Sequence, residues 1–473
     1  EKFIQDLSPK SKFRYVIFLN FVVYLILLVG RGWGMHRMLN YEETFPVGSA
    51  LSQNLFLSLN DWSYGILFPR ILIYIAIKFP LEYLPLTLFF MATLLWALYS
   101  VIIFWVIFYK TNRYSVATLA GLVLILVPFP QLGMQGVVWN SFWPMFIALT
   151  VVVCCSAYGE SKQATICLSI FAFLTAASNP VAIVLLSLIA FDYWRNEFLR
   201  QKIKLFTSCF VFGLLFSLFV QFHQEPALRY LGEWDQKLAQ KTPTLLRLEE
   251  SGAHIVRYVS SPKILNVVQG VPGSVKYLLT QMSPEPFASR WILIEDTSTN
   301  LIHLVLLASI LFGAPLVGVL SLRRKSPKSD ISKIIIRFGV VFVIVEALQI
   351  YLIGGVVQTR QLLFVPVCCY WLAVFLLLPQ TLKIRAKLQS AVSVGVVFLV
   401  VIFGLLIEQN FRDPFSVDGR NRYHHEPLWQ DALEIARKNC AELLPNNQII
   451  ISQIDDVTAD APVVVKCKYI AKN

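Results

Sequence analysis

Glu42 and Glu43 stand side by side in Tyr41-Glu42-Glu43-Thr44, shortly after the first long apolar run of the chain. Two adjacent carboxylates beside a bilayer are costly to desolvate and stay where water or a ligand reaches them. The stretch from Met35 to Lys78, which also holds Asp61, Trp62 and Arg70, is therefore the first place to look for chemistry. The plain alternative is a solvated loop whose acidic residues fall there by chance. Glu346 lies inside a later apolar run, Ile334 to Leu352. An intramembrane carboxylate is either a functional group or a structural hydrogen-bond partner of a neighbouring helix. Trp139 and Asn140, with Trp143 and Pro144, gather at one end of another run. They read as an aromatic belt at the lipid interface or as a stacking surface for a substrate.

Other chemistries lose their usual sequence support. The chain carries no P-loop, dinucleotide fingerprint, HExxH or GxSxG, which removes the common signatures of nucleotide-driven transport, zinc proteolysis and elbow-serine hydrolysis. It has no visible internal duplication of the kind many secondary transporters carry. His424 and His425 have no ligand spacing around them and read as solvated.

The elements that must position these residues are set by composition. Apolar residues make up 56% and charged residues 15%, and mean hydropathy is +0.62, a balance that excludes a soluble core of this size. Apolar runs near the length of a bilayer crossing, separated by short basic loops, specify helical spans rather than barrel strands. The net charge of +12 gathers next to the spans, so it reads as topology under the positive-inside rule and not as a nucleic-acid surface.

Lys2, Lys10, Lys12 and Arg14 precede Tyr15 to Val29, which is read as a retained helix with a cytoplasmic N-terminus. The loop at 35–81 then faces outward, and within it Leu51, Leu55 and Leu59, followed by Tyr64 to Phe79, read as two helices lying on the membrane. Tyr83 to Tyr109 returns to Lys110 and Arg113, Ser115 to Val127 leads out, and Phe142 to Tyr158 comes back. Gln163 to Asp192, with Asn179 and Pro180 in its middle and basic residues at both ends, reads as a hairpin of two short helices. Each is roughly 23 Å long at about 1.5 Å per residue, which implies a thinned bilayer or a lined cavity.

Leu205 to Phe222 leads to a long outer loop at 223–300, and Leu301 to Leu322 returns to the basic loop around Arg323, Arg324 and Lys325. Ile334 to Leu352, Leu362 to Leu378 and Ala391 to Ile407 complete the membrane part. The expectation is an α-helical polytopic membrane protein with about 11 transmembrane helices at 1–407 and a small α+β outer C-terminal domain at 408–473. In that tail Trp429, Leu433, Ala436 and Cys440 share a helical face, while Gln448 to Ile454 and Pro462 to Ile470 have strand character. Cys154, Cys155, Cys167, Cys209, Cys368 and Cys369 fall in spans and read as small apolar fillers. Cys440 and Cys467 lie outside, and a disulfide between them suits periplasm or lumen. The absence of an Asn-x-Ser/Thr acceptor favours a bacterial inner membrane.

An early acidic outer loop after the first span, interfacial helices, short middle spans, a long later loop and a soluble outer tail together resemble the GT-C superfamily of integral-membrane glycosyltransferases. The acidic site appears here as Glu42 and Glu43, and Arg360 ahead of Pro366 resembles the Arg-plus-Pro helix start of such enzymes. The resemblance implies a sugar donor linked to a polyprenyl phosphate, a glycan, lipid or protein acceptor, contact with membrane lipids and direct, inverting transfer. It assigns proton removal from the acceptor hydroxyl to Glu43, with Glu42 second. It assigns the phosphate of the leaving lipid to Arg360, preferred because it sits at an outer helix end, or to Arg70, since a cation there offsets growing negative charge. Arg360 is equally readable as a snorkelling interfacial anchor. Glu42, Glu43 and Asp61 are the residues available to a divalent metal, but the set is too loose to define a site. A polymerase or ligase of lipid-linked glycans, a transporter or flippase centred on Glu346, and a membrane scaffold are the competing functions.

Overall fold

Long runs of Leu, Ile, Val and Phe in a water-free setting can satisfy their peptide groups only within the segment itself, and such segments become helices. The computed structural model describes residues 9–32, 46–48, 50–51, 66–126, 137–159, 161–195, 200–223, 330–353, 360–381, 429–451 and 463–470. In chain order the elements are α1 (Pro9–Gly32), α2 (Leu67–Ala76), the 3-10 turn Leu81–Tyr83, α3 (Leu84–Thr111), α4 (Tyr114–Leu126), the 3-10 turn Trp139–Ser141 and α5 (Phe142–Cys154). There follow α6 (Lys162–Ser178), the 3-10 turn Pro180–Ile183, α7 (Val184–Arg195), α8 (Arg200–His223), α9 (Asp330–Ile353), α10 (Arg360–Thr381), α11 (Trp429–Ala441), β1 (Gln448–Ile451), β2 (Val463–Lys466) and α12 (Cys467–Ile470).

Among the described residues, three helical stretches are long and apolar enough to cross a membrane: Ser11–Gly30, Leu81–Thr111 and Ile203–Val220. The shorter apolar helices include Leu67–Ala76, Tyr114–Leu126, Phe142–Cys154 and Lys162–Ser178. This is the make-up of a multi-pass membrane protein. The chain divides into two compact units, one formed by Glu1–Leu59, Tyr64–Phe219 and Ile407–Asn473, the other by Asn60–Ser63 and Val220–Leu406.

In the first unit α3 is the hub, packed against α1, α2, α4 and α5. It ends at Asn112, whose left-handed backbone (φ 52°) lets its N–H reach the Phe108 carbonyl, a conformation that Asn tolerates better than most residues. Helices α1, α3 and α4 approach closely at Gly121, where a Cβ would collide with the Tyr24 hydroxyl and crowd the Ser100 carbonyl. The Tyr24 hydroxyl donates to the Thr118 carbonyl at 3.1 Å, and the Thr118 hydroxyl donates to Asn20 Oδ1 at 3.0 Å. Small residues and interhelical hydrogen bonds are the means by which helices associate where lipid removes the hydrophobic drive. Phe18, Leu19, Val23 and Ile26 leave one face of α1 apolar and exposed, as a lipid-facing surface requires.

Every residue of α5 is buried. This corrects the aromatic-belt reading for Trp143: its ring packs inside, 4.9 Å from that of Phe142, because α5 is enclosed on all faces and presents none to lipid. The cysteines divide as well. Cys154, Cys155, Cys368 and Cys369 are buried, Cys209 is partly so, and Cys167 is exposed. Cys167 shares the open face of α6 with Ile166 and Ile170, so it is not a core filler.

In the second unit α9 and α10 pack side by side. Helix α10 starts at Arg360 and continues through Pro366. Glu346 is buried on α9, and among the described residues neither of its carboxylate oxygens has a hydrogen-bond partner, so the interhelical hydrogen bond offered as its structural role is not made by any of them.

The tail is α11 laid on an antiparallel pair, with Gln448 opposite Lys466 and Ile451 opposite Val463. The strand expected through Ile470 stops at Lys466. The Cys467 N–H bonds to the Asn447 carbonyl at 3.0 Å and the Lys468 N–H to the Pro445 carbonyl at 2.9 Å, which curls the chain into α12. Cys467 is disulfide-bonded to Cys440. On the exposed side, the Lys438 ammonium bonds to Glu434 and holds its carboxyl below the usual carboxylate range, a pair of little weight for stability in water. Helix α11 docks on the turn that precedes α3. Trp429 Nε1–H donates to the Leu81 carbonyl at 2.6 Å, and Arg437 pairs with Glu82 at 2.6 Å.

Candidate site at the broken helix hairpin

Helix α2 is 10 residues long, about 15 Å at 1.5 Å per residue, half the thickness of a hydrocarbon core. Its buried face comprises Pro69, Arg70, Ile73 and Ala76. Four apolar-spaced positions would ordinarily all be apolar, yet Arg70 is one of them and is only 3% exposed. A guanidinium brought inside this far needs hydrogen-bonding or anionic partners, and its planar fork suits carboxylate or phosphate.

The surroundings of α2 come from two other elements. It packs against α6 and against the turn Trp139–Ser141. No side chain of its own caps its start. Instead the Phe68 N–H donates to Ser178 Oγ at 2.9 Å, so the last residue of α6 satisfies one of the orphan donors of the first turn of α2. Just beyond, Asn179 breaks the hairpin with an extended backbone and Pro180 opens the next turn. Proline cannot continue the hydrogen-bond ladder of α6 and disfavours helical geometry in the residue before it. Asn179 Oδ1 accepts the Val181 N–H at 3.0 Å and caps the new turn. Asn140, Ser141, Ser178 and Asn179 are all buried. The result is a polar interior at the junction of a short outer helix and an interrupted hairpin. Such a break, in a membrane protein, is tolerated where it is buried in protein or lines a cavity.

Arg70 and Asn140, both singled out from sequence, are thus carried on elements that pack together. Arg360 heads α10 in the second unit, and Trp139 opens the 3-10 turn that bears Asn140; the side chains of both lie outside the described residues. Glu42, Glu43 and Asp61 lie outside them as well. Among the described residues, no group of three or more His, Cys, Asp or Glu is placed to hold a metal ion.

Sequence reading overlooked the side chains around the break. Asn179-Pro180 inside an apolar run was the available signal, and it marked the break without marking the polar interior. Asp192 was passed over too. It is buried near the end of α7, and its Oδ2 accepts the Ser156 and Tyr158 hydroxyls, each at 2.7 Å, which ties α7 to the chain leaving α5. Asp192→Ala removes the acceptor of the buried Tyr158 hydroxyl and is expected to destabilise the protein by roughly 2–4 kcal/mol, whereas Asp192→Asn keeps a carbonyl acceptor and costs about half as much. Thermal unfolding in detergent checks the order; equal midpoints for both variants and the parent would refute it.

No protein family matches this chain, and no curated protein matches it either.

Proposed function

We propose that this chain is a membrane glycosyltransferase of GT-C type, moving a sugar from a polyprenyl-phosphate-linked donor to a glycan, lipid or protein acceptor on the outer face, with inversion. The observation that carries the reading is the buried Arg70 on a helix too short to cross the membrane, seated against an interrupted hairpin. A lipid phosphate in a bilayer needs a cation shielded from water, and the burial of Arg70 on a short apolar helix supports that role. In this scheme Arg70 binds the phosphate that becomes the leaving group, and Arg360 assists. Glu43, or Glu42 beside it, takes the acceptor proton. The full reading has about eleven spans, a cytoplasmic N-terminus and the disulfide-bonded tail outside, in keeping with an oxidising compartment of a bacterial envelope.

The test supplies the purified chain in lipid nanodiscs with polyprenyl-phosphate sugars and follows release of the lipid phosphate. Arg70→Ala should weaken donor binding and turnover together by at least tenfold, because the cation meets charge present in the ground state that grows in the transition state. Donor binding unchanged in Arg70→Ala removes the basis of the reading. A transporter or flippase is the second reading, favoured by the buried Glu346 carboxylate in the second unit, which has no hydrogen-bond partner among the described residues.

A further inference from the structure

Asn179 does more than end a helix. It is 1% exposed, and its Oδ1 is committed to the Val181 N–H, which fixes the amide plane. Its Nδ2, carrying two N–H donors, has no hydrogen-bond partner among the described residues. Asp in the same place would cap the turn and leave no surplus donor, so the amide brings an unsatisfied group into the interior at a cost that capping does not explain. Ser141 presents the same feature on a different element: it is fully buried, and its hydroxyl is without a partner among the described residues. An alanine would fill that space without the penalty. Ser141 lies on a turn packed against α2, the helix of Arg70, and Asn179 directly follows α6, which also packs against α2 and whose last residue, Ser178, accepts the Phe68 N–H from the first turn of α2. A buried cation and two buried neutral donors are therefore carried on three neighbouring segments of one unit, two of them packed against the helix of Arg70.

We propose that Asn179 and Ser141 are further ligands, beside Arg70, for the phosphate group of an isoprenyl-phosphate lipid. The inference rests on the reading of Arg70 as a phosphate ligand and is independent of sugar transfer. A guanidinium fork takes two phosphate oxygens. The remaining oxygen accepts from the amide and the hydroxyl, which orient the group without adding charge.

The test measures binding of a long-chain isoprenyl monophosphate to the full chain in nanodiscs, with the isoprenyl alcohol and inorganic phosphate as the other arms. The parent should bind the lipid phosphate and not the alcohol, and inorganic phosphate should bind far more weakly. Ser141→Ala should lower affinity about fivefold, as loss of one neutral hydrogen bond does. Asn179→Asp keeps the Oδ1 cap but sets a carboxylate against the phosphate, and should lower affinity more than tenfold. Should Asn179→Asp fail to fold, Ser141→Ala carries the test. Unchanged affinity in both, with Arg70→Ala still weakened, overturns the role of Asn179 and Ser141 and leaves the Arg70 reading standing. No lipid-phosphate binding by the parent overturns both. Equal affinity for inorganic phosphate replaces the lipid ligand with the free anion and overturns the proposal.

Discussion

Glu43→Gln is expected to lower sugar transfer by roughly 10²–10⁴-fold, the usual loss when a general base is removed. The substitution keeps size and one acceptor oxygen, so a role confined to packing or hydrogen bonding would be nearly preserved. Donor binding should survive, since the proposed scheme gives the lipid phosphate to Arg70 on α2, farther along the chain. The pattern expected is therefore a fall in turnover with donor affinity intact, opposite to Arg70→Ala, which weakens both. Glu42→Gln distinguishes the two neighbours, and the larger loss identifies the base. A transporter working through Glu346 should tolerate Glu43→Gln and fail with Glu346→Gln. Full sugar transfer in both Glu43→Gln and Glu42→Gln would end the assignment of the acidic loop.

Removal of the tail disulfide, by Cys440→Ala with Cys467→Ala, is expected to destabilise the tail by roughly 3–4 kcal/mol. The bridge closes a loop with a sequence separation of 27, and the entropy it removes from the unfolded chain corresponds to about that figure. A domain of one helix, a strand pair and a single turn of helix has little core to compensate. The opened population should therefore rise by about two to three orders of magnitude, at about 1.4 kcal/mol per tenfold, and proteolysis between Ala441 and Val463 should quicken in proportion while opening and closing remain fast. The contact of Trp429 with Leu81 offers a second readout, because an unfolded α11 releases the indole from the buried site it occupies at the head of α3. Cleavage at the parent rate in the double variant would show that packing alone holds the tail.

The membrane character, the helical class and the approximate extents of α1, α3, α8 and α11 are determined by the sequence itself. An apolar run in lipid has one way to satisfy its backbone, and a tail helix with Trp429, Leu433, Ala436 and Cys440 on one face has one face to bury. The break at Asn179-Pro180 was legible for the same local reason, since proline's missing N–H acts on its immediate neighbours. What the tertiary structure alone decided is which residues of each helix face inward. Periodicity carries no such information when a helix is apolar all round: α5 reads like any other span, yet it is the enclosed one, and this moved Trp143 from the lipid interface to the interior. Arg70 could be named from its charge, but its burial depends on α2 settling against α6 and the Trp139–Ser141 turn, segments about 110 and 70 residues away in the chain. Ser141 and Asn179 are ordinary polar residues in sequence. Only the packing that seals them from water leaves their donors idle, because a hydroxyl or amide lacks a partner only once every neighbour has been placed.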